Sequence, residues 1–311
     1  MLLSIVFSFR NEEAILDELL RRVRKVLDSS GIGYELVFVN DDSTDKSLAI
    51  LLKQRGSDGK IKIINMARRF GVAHCVLAGM KYSKGDAVVV MDTDLQDPPE
   101  LMLQMIAKWQ GGADVVNTVR EKRLGENMVK MWITKKAYNI INFVSDIDLP
   151  ENMGDFKLLS RRVVDELIKL NEYDPYLRGL VRWLGFRQEV IYYTREPRFG
   201  GETHFSLFGM GPVKEFIRGI TSFSAAPLYL AILLGLTVSA MSFVLIGYVL
   251  YTKFHGLTVP GWAGPMVAIL FIGGIILFTN GLLGLYIGRI YNQVKNRPHY
   301  IVESAHGFDE S

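Results

Sequence analysis

The chain has 311 residues, 49% of them hydrophobic, and its formal net charge is +3. This length suits one sizeable domain with something smaller beside it, because domains usually run to about 100 to 200 residues. So small a net charge gives no argument for nucleic acid as a partner. The single cysteine, Cys75, excludes an intrachain disulfide and agrees with a reducing, cytosolic location for the soluble part.

Strands and helices alternate along the first part of the chain. The predicted strands are short apolar runs over residues 2–9, 34–40, 60–66, 87–91 and 113–119. The helices predicted between them run from a cap at Asn11 to about Ser29, from a cap at Ser43 to about Gln54, near residues 72–82, and from Pro98 and Pro99 onward. Such alternation indicates an α/β fold with a doubly wound, mostly parallel sheet.

The pattern loosens after Arg120. A long helix is predicted over residues 125–144, another helix follows the sequence GDFKLLS, and residues 189–196 have strand character. Residues 206–223 mix aromatic and aliphatic side chains with Lys214 and Arg218, which suits a helix that lies in the lipid headgroup region. An ordinary amphipathic core helix is the alternative for this segment.

Two long segments, residues 225–251 and 256–288, contain no charged residue. Each exceeds the roughly 20 apolar residues that cross a bilayer, so they predict two transmembrane helices joined as a hairpin. A buried helix of a large soluble core is the alternative, but such helices seldom pass about 25 residues without a charge. The basic residues that flank the pair on one side are Lys214, Arg218, Arg289, Lys295 and Arg297, against Lys253 in the connecting loop. The positive-inside rule therefore predicts cytoplasmic termini, and the basic cluster indicates anionic lipid.

Acidic residues directly follow two of the predicted strands. The sequence NDDSTD follows the second strand and includes Asp41 and Asp42, and DTDLQD follows the fourth and includes Asp92 and Asp94. Ligands of open parallel sheets bind outside the carboxyl ends of the strands. Converging carboxylates repel one another unless a cation or a ligand's donors neutralise them. Hard oxygen ligands select Mg²⁺ or Mn²⁺, so we expect a divalent ion on a diphosphate here.

Part of this acidic sequence has a simpler interpretation. Asp97 suits a turn or the cap of the helix after it, and Ser43 or Asp45 suits the cap of the helix after the second strand. Asp92 and Asp94, at alternate positions after a buried strand, favour a site instead. A dinucleotide-binding or P-loop fold is disfavoured, because neither G-x-G-x-x-G nor G-x-x-x-x-G-K-[ST] occurs in the sequence.

Several motifs follow one another in a familiar order: SIVFSFRNEE, VNDDSTD, ARRFG, DTDLQDPPE, GDFKLLSRRVV and REPRFGGETHF, then the apolar segments and GLLGLYIGRIYNQVKNRP. This series resembles the polyprenyl-phosphate glycosyltransferases, which are inverting family 2 enzymes of GT-A fold. It is similar to dolichyl-phosphate mannose synthase and most of all to bacterial two-span members of the family. The resemblance covers nearly the whole chain, and motifs in this order are far more specific than a lone D-x-D.

The resemblance implies a membrane-bound transferase that moves a sugar from a nucleotide-diphosphate sugar, expected to be a UDP-sugar, to a polyprenyl phosphate such as undecaprenyl or dolichyl phosphate. The domains it implies are a cytoplasmic GT-A domain over residues 1–204, an interfacial helix over 205–224, a transmembrane hairpin over 225–289 and a cytoplasmic tail over 290–311. The expected location is the inner cell membrane. The expected partners are the donor, the lipid acceptor and the bilayer; homo-oligomerisation is left open.

The resemblance also implies donor-side roles for single residues. Asp41 and Asp42 match aspartates that contact the nucleotide in relatives. Asp92 and Asp94 match the motif that holds Mg²⁺ or Mn²⁺, and Gln96 stands beside them. The donor is therefore expected to bind through these five residues and the metal.

On the acceptor side, Asp155 matches an aspartate near the reacting centre and is expected, with Asp94, to be catalytic. Arg120, Lys135 and Arg198 fall where relatives have basic residues for phosphate groups. The sequence departs from the family pattern at His204, where relatives usually have lysine. A lipid phosphate is largely ionised near neutral pH, since its second pKa is about 6. Asp155 is therefore interpreted as a residue that orients the acceptor or stabilises developing positive charge.

Two other classes share some of these features. A processive polysaccharide synthase has the same acidic motifs, but it carries Q-x-x-R-W and more membrane spans, whereas this chain has Gly179 at the glutamine position. A catalytically inactive membrane adaptor that keeps the fold is disfavoured by the intact Asp92, Asp94 and Asp155. The sequence does not specify the sugar.

Overall fold

The structure, a computed structural model, describes residues 1–123, 153–195, 219–256, 261 and 263–308. The described residues form two compact units, one that contains those up to Gly219 and those from Arg297 onward, and one that contains those within Ile220–Asn296. The predicted helix over residues 125–144, Lys135, Arg198 and His204 lie outside the described residues. Of the predicted interfacial helix over residues 205–224, residues 219–224 are described, and 219–223 are helical.

In the described part of the first unit, eight strands form one sheet. They are β1 (Leu2–Phe9), β2 (Gly33–Asn40), β3 (Ile61–Met66), β4 (Ala87–Asp92), β5 (Val115–Arg123), β6 (Met153–Ser160), β7 (Gln188–Arg195) and β8 (Val302–His306). Their order across the sheet is β7-β5-β6-β4-β1-β2-β3-β8. β6 and β8 run antiparallel to their neighbours, and the other strands all run in one direction. The predicted mostly parallel sheet is confirmed.

Helices on both faces connect the strands. In the described residues of this unit they are α1 (Leu16–Ser30), α2 (Ser47–Ser57), α3 (Val72–Tyr82), α4 (Leu101–Gln110), α5 (Arg161–Lys169) and α6 (Leu177–Trp183). The helix predicted near residues 72–82 is confirmed as α3. The helix α6 was not predicted, because its 7 residues are too few to show a clear helical period.

The loops after β1 and β2 lie side by side, and their polar groups bond across the gap. Asn11 has a left-handed φ of 56°, and its side-chain oxygen accepts the N–H of Thr44 at 2.8 Å. The hydroxyl of Ser43 accepts the N–H of Asn11 at 3.1 Å. The two predicted helix caps are therefore wrong. The side chains of Asn11 and Ser43 accept hydrogen bonds from the neighbouring loop instead of from a helix end. The helices α1 and α2 begin later, at Leu16 and Ser47.

The core lies on both faces of the sheet. On one face, Phe7 of β1 and Phe38 of β2 are fully buried and stack with ring centroids 4.7 Å apart, beneath α1 and α4. On the other face α3 approaches β1 so closely that a Cβ on Gly79 would lie 2.4 Å from Val6 Cγ1. Such close packing resists deformation, so the loops at the strand ends are carried on a rigid frame.

The strand β8 is a feature that the sequence analysis did not predict. Residues 290–311 were expected to form a tail, whereas β8 extends the sheet at the free edge of β3. Only alternate residues of the strand are half-buried, and its sequence, VESAH, has little apolar character. An apolar pattern that could indicate a strand is therefore missing.

The second unit contains the long apolar helices α7 (Ala226–Phe254) and α8 (Ala263–Val294). By length and composition both are able to cross a membrane, and their most apolar stretches are not buried within the structure. At one end of the pair, the Tyr286 hydroxyl donates to the Ser224 carbonyl at 2.9 Å, and Arg289 donates to the Ser222 hydroxyl at 2.9 Å. These bonds join α8 to the segment that leads into α7.

Candidate active site

The carboxyl ends of the parallel strands form one edge of the sheet, and the acidic motifs lie there. Asp92 ends β4, and Asp155 stands near the start of β6, which runs the opposite way. The β4–β6 register pairs Val90 with Lys157, and its continuation by two residues sets Asp92 beside Asp155. The structure thus brings together two carboxylates that are far apart in the sequence.

Asp92 stands among other acidic side chains. Burial, and then the charges of Asp155, Asp97 and Asp94, raise the pKa of Asp92 to about 7, although Arg120 opposes them. A carboxylate in such surroundings favours a bound proton or cation. The electrostatics of this edge therefore suit a divalent metal ion.

The loop after β4 turns back on itself. Leu95 has a left-handed φ of 55°, and the N–H of Gln96 donates to Oδ1 of Asp94 at 3.2 Å. Among the described residues, no group of three or more acidic, histidine or cysteine side chains is arranged to hold a metal ion. Mg²⁺ commonly takes only one or two carboxylates and completes its shell with phosphate oxygens and water. The donor set of Asp92 and Asp94 fits an ion of that kind.

Arg178 of α6 binds Asp155. Its Nε lies 2.7 Å from Oδ1, and its terminal nitrogen binds Oδ2, so the pair is bidentate. Burial alone would raise the pKa of Asp155, but Arg178, followed by Lys157 and Arg120, holds it well below the usual range. Asp155 is therefore a fixed carboxylate with little tendency to accept a proton. Arg178 was not predicted as a site residue, because no sequence motif connects it with Asp155.

Arg120 of β5 is buried against Asp97 and Tyr193. The Tyr193 hydroxyl accepts from Arg120 Nε at 3.0 Å and donates to Oδ1 of Asp97. Oδ2 of Asp97 lies 3.5 Å from the Arg120 guanidinium. The interpretation of Asp97 as a helix cap is therefore wrong: Glu100 precedes the first residue of α4, and Asp97 is fully buried beneath Arg120. Tyr193 is a further residue that the sequence analysis missed.

Lys157 of β6 lies deeper in the same edge. It is 3% exposed, and its Nζ has no hydrogen-bond partner among the described residues. Burial lowers its pKa to about 8, although Asp155 opposes this. Lys157 therefore adds positive charge beneath Asp155.

Asp41 and Asp42 occupy different environments. Asp41 is buried, and its carboxylate accepts the N–H of Phe70 at 2.6 Å and that of Gly71 at 3.0 Å. Asp42 is exposed and has a left-handed φ of 60°. Asp41 thus ties the loop that leads into α3, whereas Asp42 faces solvent and is open to a ligand.

Comparison with known proteins bears on this site. Residues 4–168 match the model of glycosyl transferase family 2. YkcC of Bacillus subtilis, described as an uncharacterized glycosyltransferase, is 44% identical over 98% of this chain and 94% of its own length. The SfII prophage-derived bactoprenol glucosyl transferase of Shigella flexneri is 36% identical over 98% of this chain and 99% of its own length. The solved mannosyltransferase PcManGT of Pyrobaculum calidifontis, in complex with GDP-Man and Mn²⁺, is 16% identical with a TM-score of 0.45, covering 94% of this chain and 86% of that one.

The mixed sheet and the acidic edge at its carboxyl ends are those of a glycosyltransferase with the GT-A fold. The chain belongs to glycosyl transferase family 2, since the family model covers more than half of it and relatives match it over nearly their full length. The resemblance drawn from the motifs is confirmed, because the similar proteins include bactoprenol glucosyl transferases.

Proposed function

We propose that this glycosyltransferase is a membrane-bound inverting enzyme that transfers a sugar from a nucleotide-diphosphate sugar, expected to be a UDP-sugar, to a polyprenyl phosphate. The observation that carries the proposal is the acidic edge itself, where Asp92 meets Asp155 with Arg120 and Arg178 beside them. Such an arrangement suits a reaction between two phosphate-bearing substrates. Relatives named bactoprenol glucosyl transferases support a polyprenyl acceptor.

On the donor side, Asp42 faces the nucleotide, Asp41 holds the loop beside it, and Gln96 stands next to the diphosphate. Asp92 and Asp94 are the residues that would hold Mg²⁺ or Mn²⁺, with the diphosphate completing the shell. When bound, the metal supplies positive charge that neutralises the leaving diphosphate. The crowded carboxylates around Asp92 support this assignment, because they need such a charge.

The transfer is a single displacement. An oxygen of the lipid phosphate attacks the anomeric carbon, and the bond from that carbon to the diphosphate oxygen breaks, so the electron pair leaves with the nucleoside diphosphate. The attacking phosphate is already ionised near neutral pH and needs no strong base. Asp155, held as an anion by Arg178, orients the acceptor or stabilises positive charge developing on the sugar.

The acceptor phosphate is assigned to Arg120, Lys135 and Arg198, of which Arg120 lies among the described residues. An arginine fork can bond two phosphate oxygens at once. Arg120 is anchored by Asp97 and Tyr193, so its guanidinium is preorganised rather than mobile.

The location assigned to the enzyme is the cytoplasmic face of the inner cell membrane, with α7 and α8 as transmembrane helices. The basic residues on one side of the hairpin support cytoplasmic termini. The length and composition of α7 and α8 support the spans. Thiol labelling of Cys-substituted termini in right-side-out vesicles tests the topology, and labelling from outside would contradict it.

The decisive experiment is a panel of labelled nucleotide sugars given to the purified full chain with undecaprenyl phosphate and MgCl₂ or MnCl₂. We expect one donor to yield a labelled glycolipid that carries a single sugar, with release of the nucleoside diphosphate. An Asp92→Asn/Asp94→Asn variant is the control for background transfer.

Two results would contradict the proposal. Labelled polymer in place of a single-sugar lipid would indicate a processive synthase. The absence of both glycolipid and free nucleoside diphosphate across the whole panel would indicate an adaptor that binds without transfer.

A further inference from the structure

The segment after the second apolar helix joins the sheet as β8, which begins at Val302 opposite Met66 at the carboxyl end of β3. β8 pairs with β3 from Ile63 opposite His306 to Asn65 opposite Ser304, and the register then shifts so that Met66 is opposite Val302. The shift leaves Glu303 as the extra residue of a bulge. Bulges re-aim side chains, and the Glu303 carboxylate is aimed at Asn65.

Glu303 begins a chain of hydrogen bonds that ends in the donor loop. The Asn65 amide donates to Oε2 of Glu303 at 2.6 Å. The Asn40 amide donates to Oδ1 of Asn65 at 2.6 Å. Oδ1 of Asn40 in turn accepts the N–H of Ser43 at 3.0 Å. The C-terminal strand is thus connected, through two amides, to the turn that contains Asp41 and Asp42.

The direction of this chain is fixed at both ends, by the Glu303 carboxylate, which accepts, and by the Ser43 N–H, which donates. An ionised carboxylate only accepts hydrogen bonds, so Glu303 forces Asn65 to turn its NH₂ group outward and its oxygen toward Asn40. Asn40 must then donate to Asn65, which leaves its own oxygen for Ser43. With a glutamine in place of Glu303, the Ser43 N–H still sets the direction from the other end, but the first bond loses its charged acceptor and is weaker.

The turn that receives this bond is also held from the loop after β1, where the Asn11 side chain accepts the N–H of Thr44 at 2.8 Å. Asp42 adopts a left-handed φ of 60°, which a non-glycine residue rarely adopts without stabilising contacts. The N–H of Asp41 is held by the Phe9 carbonyl at 3.0 Å. The bond from Asn40 to Ser43 closes the turn on its far side, so the orientation of Asn40 bears on where the Asp42 side chain points.

We propose that Glu303 is a positioning residue for the donor nucleotide, and that the segment after the second apolar helix is therefore part of the donor site. This inference rests on the proposed function. It predicts that Glu303, far from Asp42 in the sequence, affects nucleotide affinity without changing how the acceptor binds.

The test uses the full chain in detergent, titrated with UDP and with GDP, each in MnCl₂, and assayed for the dependence of transfer on lipid phosphate. Glu303→Gln should weaken binding of the preferred nucleotide by about three- to tenfold, the size of one hydrogen bond, with an unchanged acceptor KM. The double variant Asn65→Asp/Glu303→Gln should restore most of the affinity, because the glutamine then donates to a carboxylate that still accepts from Asn40. Ser304→Ala, next to Glu303 on β8, is the matched control.

The outcomes separate this inference from the proposed function. If the unaltered chain binds neither nucleotide, the proposed function fails, and the inference with it. If the unaltered chain binds a nucleotide and Glu303→Gln binds it equally well, the inference alone fails. Weaker binding that comes with a lower melting temperature and is not restored by the double variant would also overturn it, since that pattern indicates a general loss of stability.

Discussion

The two halves of the sheet edge are held by different kinds of bond. Around β2, β3 and β8, backbone N–H groups and side-chain amides fix the loops, as in the contacts of Asp41 and Asn40. Around β4 to β7, charged pairs dominate, as in Asp155 with Arg178. Hydrogen bonds from backbone N–H groups and amides have donors that do not titrate, whereas a charged pair depends on the ionisation of both partners. One half of the edge is thus built to hold a shape, and the other to hold charge.

The largest effect is expected in the charged half, at Asp94. Asp94→Asn should lower kcat/KM by about a hundredfold or more, because it removes a proposed ligand of the ion that neutralises the leaving group. The measurement is transfer rate against MnCl₂ concentration, together with nucleotide affinity. Asp86→Asn, an exposed acid at the other end of β4, is the control. Unchanged turnover and metal dependence in Asp94→Asn would show that the metal site is elsewhere.

Arg178 tests whether Asp155 needs a partner. Arg178→Ala should lower kcat by about ten- to a hundredfold, because a charged hydrogen bond contributes about 1.5 to 3 kcal/mol and its loss frees the Asp155 carboxylate to move. Arg178→Lys should recover part of the rate, since a point charge cannot reproduce the bidentate fork. Arg182→Ala, one turn further along α6, is expected to stay near the unaltered rate. A loss as large in Arg182→Ala would indicate that α6 as a whole, rather than the pair, is what matters.

Tyr193 gives a smaller and more selective test of the same half. Tyr193→Phe removes one hydroxyl between Asp97 and Arg120, and we expect about a three- to tenfold loss in efficiency toward lipid phosphate with donor affinity unchanged. Tyr192→Phe is the matched control, because the Tyr192 side chain, next to Tyr193 in the sequence, is 63% exposed. A fall in donor affinity instead would move Arg120 to the nucleotide side.

The smallest effect is expected at Glu35, which forms a buried ion pair with Lys62 away from the acidic edge. Burial would raise the pKa of Glu35, but hydrogen bonds from Lys62, Ser4 and the Lys84 backbone lower it overall. Because the pKa is lower in the folded than in the unfolded protein, the ionised group stabilises the fold above the unfolded pKa, about 4.3, and that contribution is lost as the pH falls through the folded pKa.

The melting temperature of the full chain in detergent, followed from pH 7 down to pH 3, measures this contribution. The melting temperature should fall with pH less steeply in Glu35→Gln than in the unaltered chain. The difference corresponds to about 1 kcal/mol in the free energy of unfolding. Identical pH profiles for the two chains would show that Glu35 has the same pKa in both states. Such a result would leave the acidic edge as the source of any acid sensitivity.

What could be predicted from sequence was mostly local. The strands β1 to β4 and the helix α3 follow from apolar runs and helical periods that lie within one segment. Asp92 and Asp155 follow from motifs. Arg178 and Tyr193 could not be found in that way, because their contacts depend on β6 lying between β4 and β5 and on β7 lying beyond β5, an order that no single segment encodes.

The failed predictions have a similar cause. Asn11 and Ser43 have side chains that suit helix caps, but the adjacent loop offered them other partners. β8 has too few apolar residues to show a strand pattern, and it becomes a strand because the edge of β3 is available. In each case a neighbour that is distant in the chain decided the local structure.

The late position of β8 has a consequence for how the enzyme is made. The bond between Asn65 and Glu303 joins residues 238 positions apart, and both long apolar helices lie between them. At translation speeds of about 5 to 20 residues per second, β3 leaves the ribosome roughly ten to fifty seconds before its partner strand exists. Through that interval the edge of β3 lacks its neighbour, and the loop beside it lacks its last bonds. The proposed donor site is therefore complete only after α7, α8 and β8 have all been synthesised.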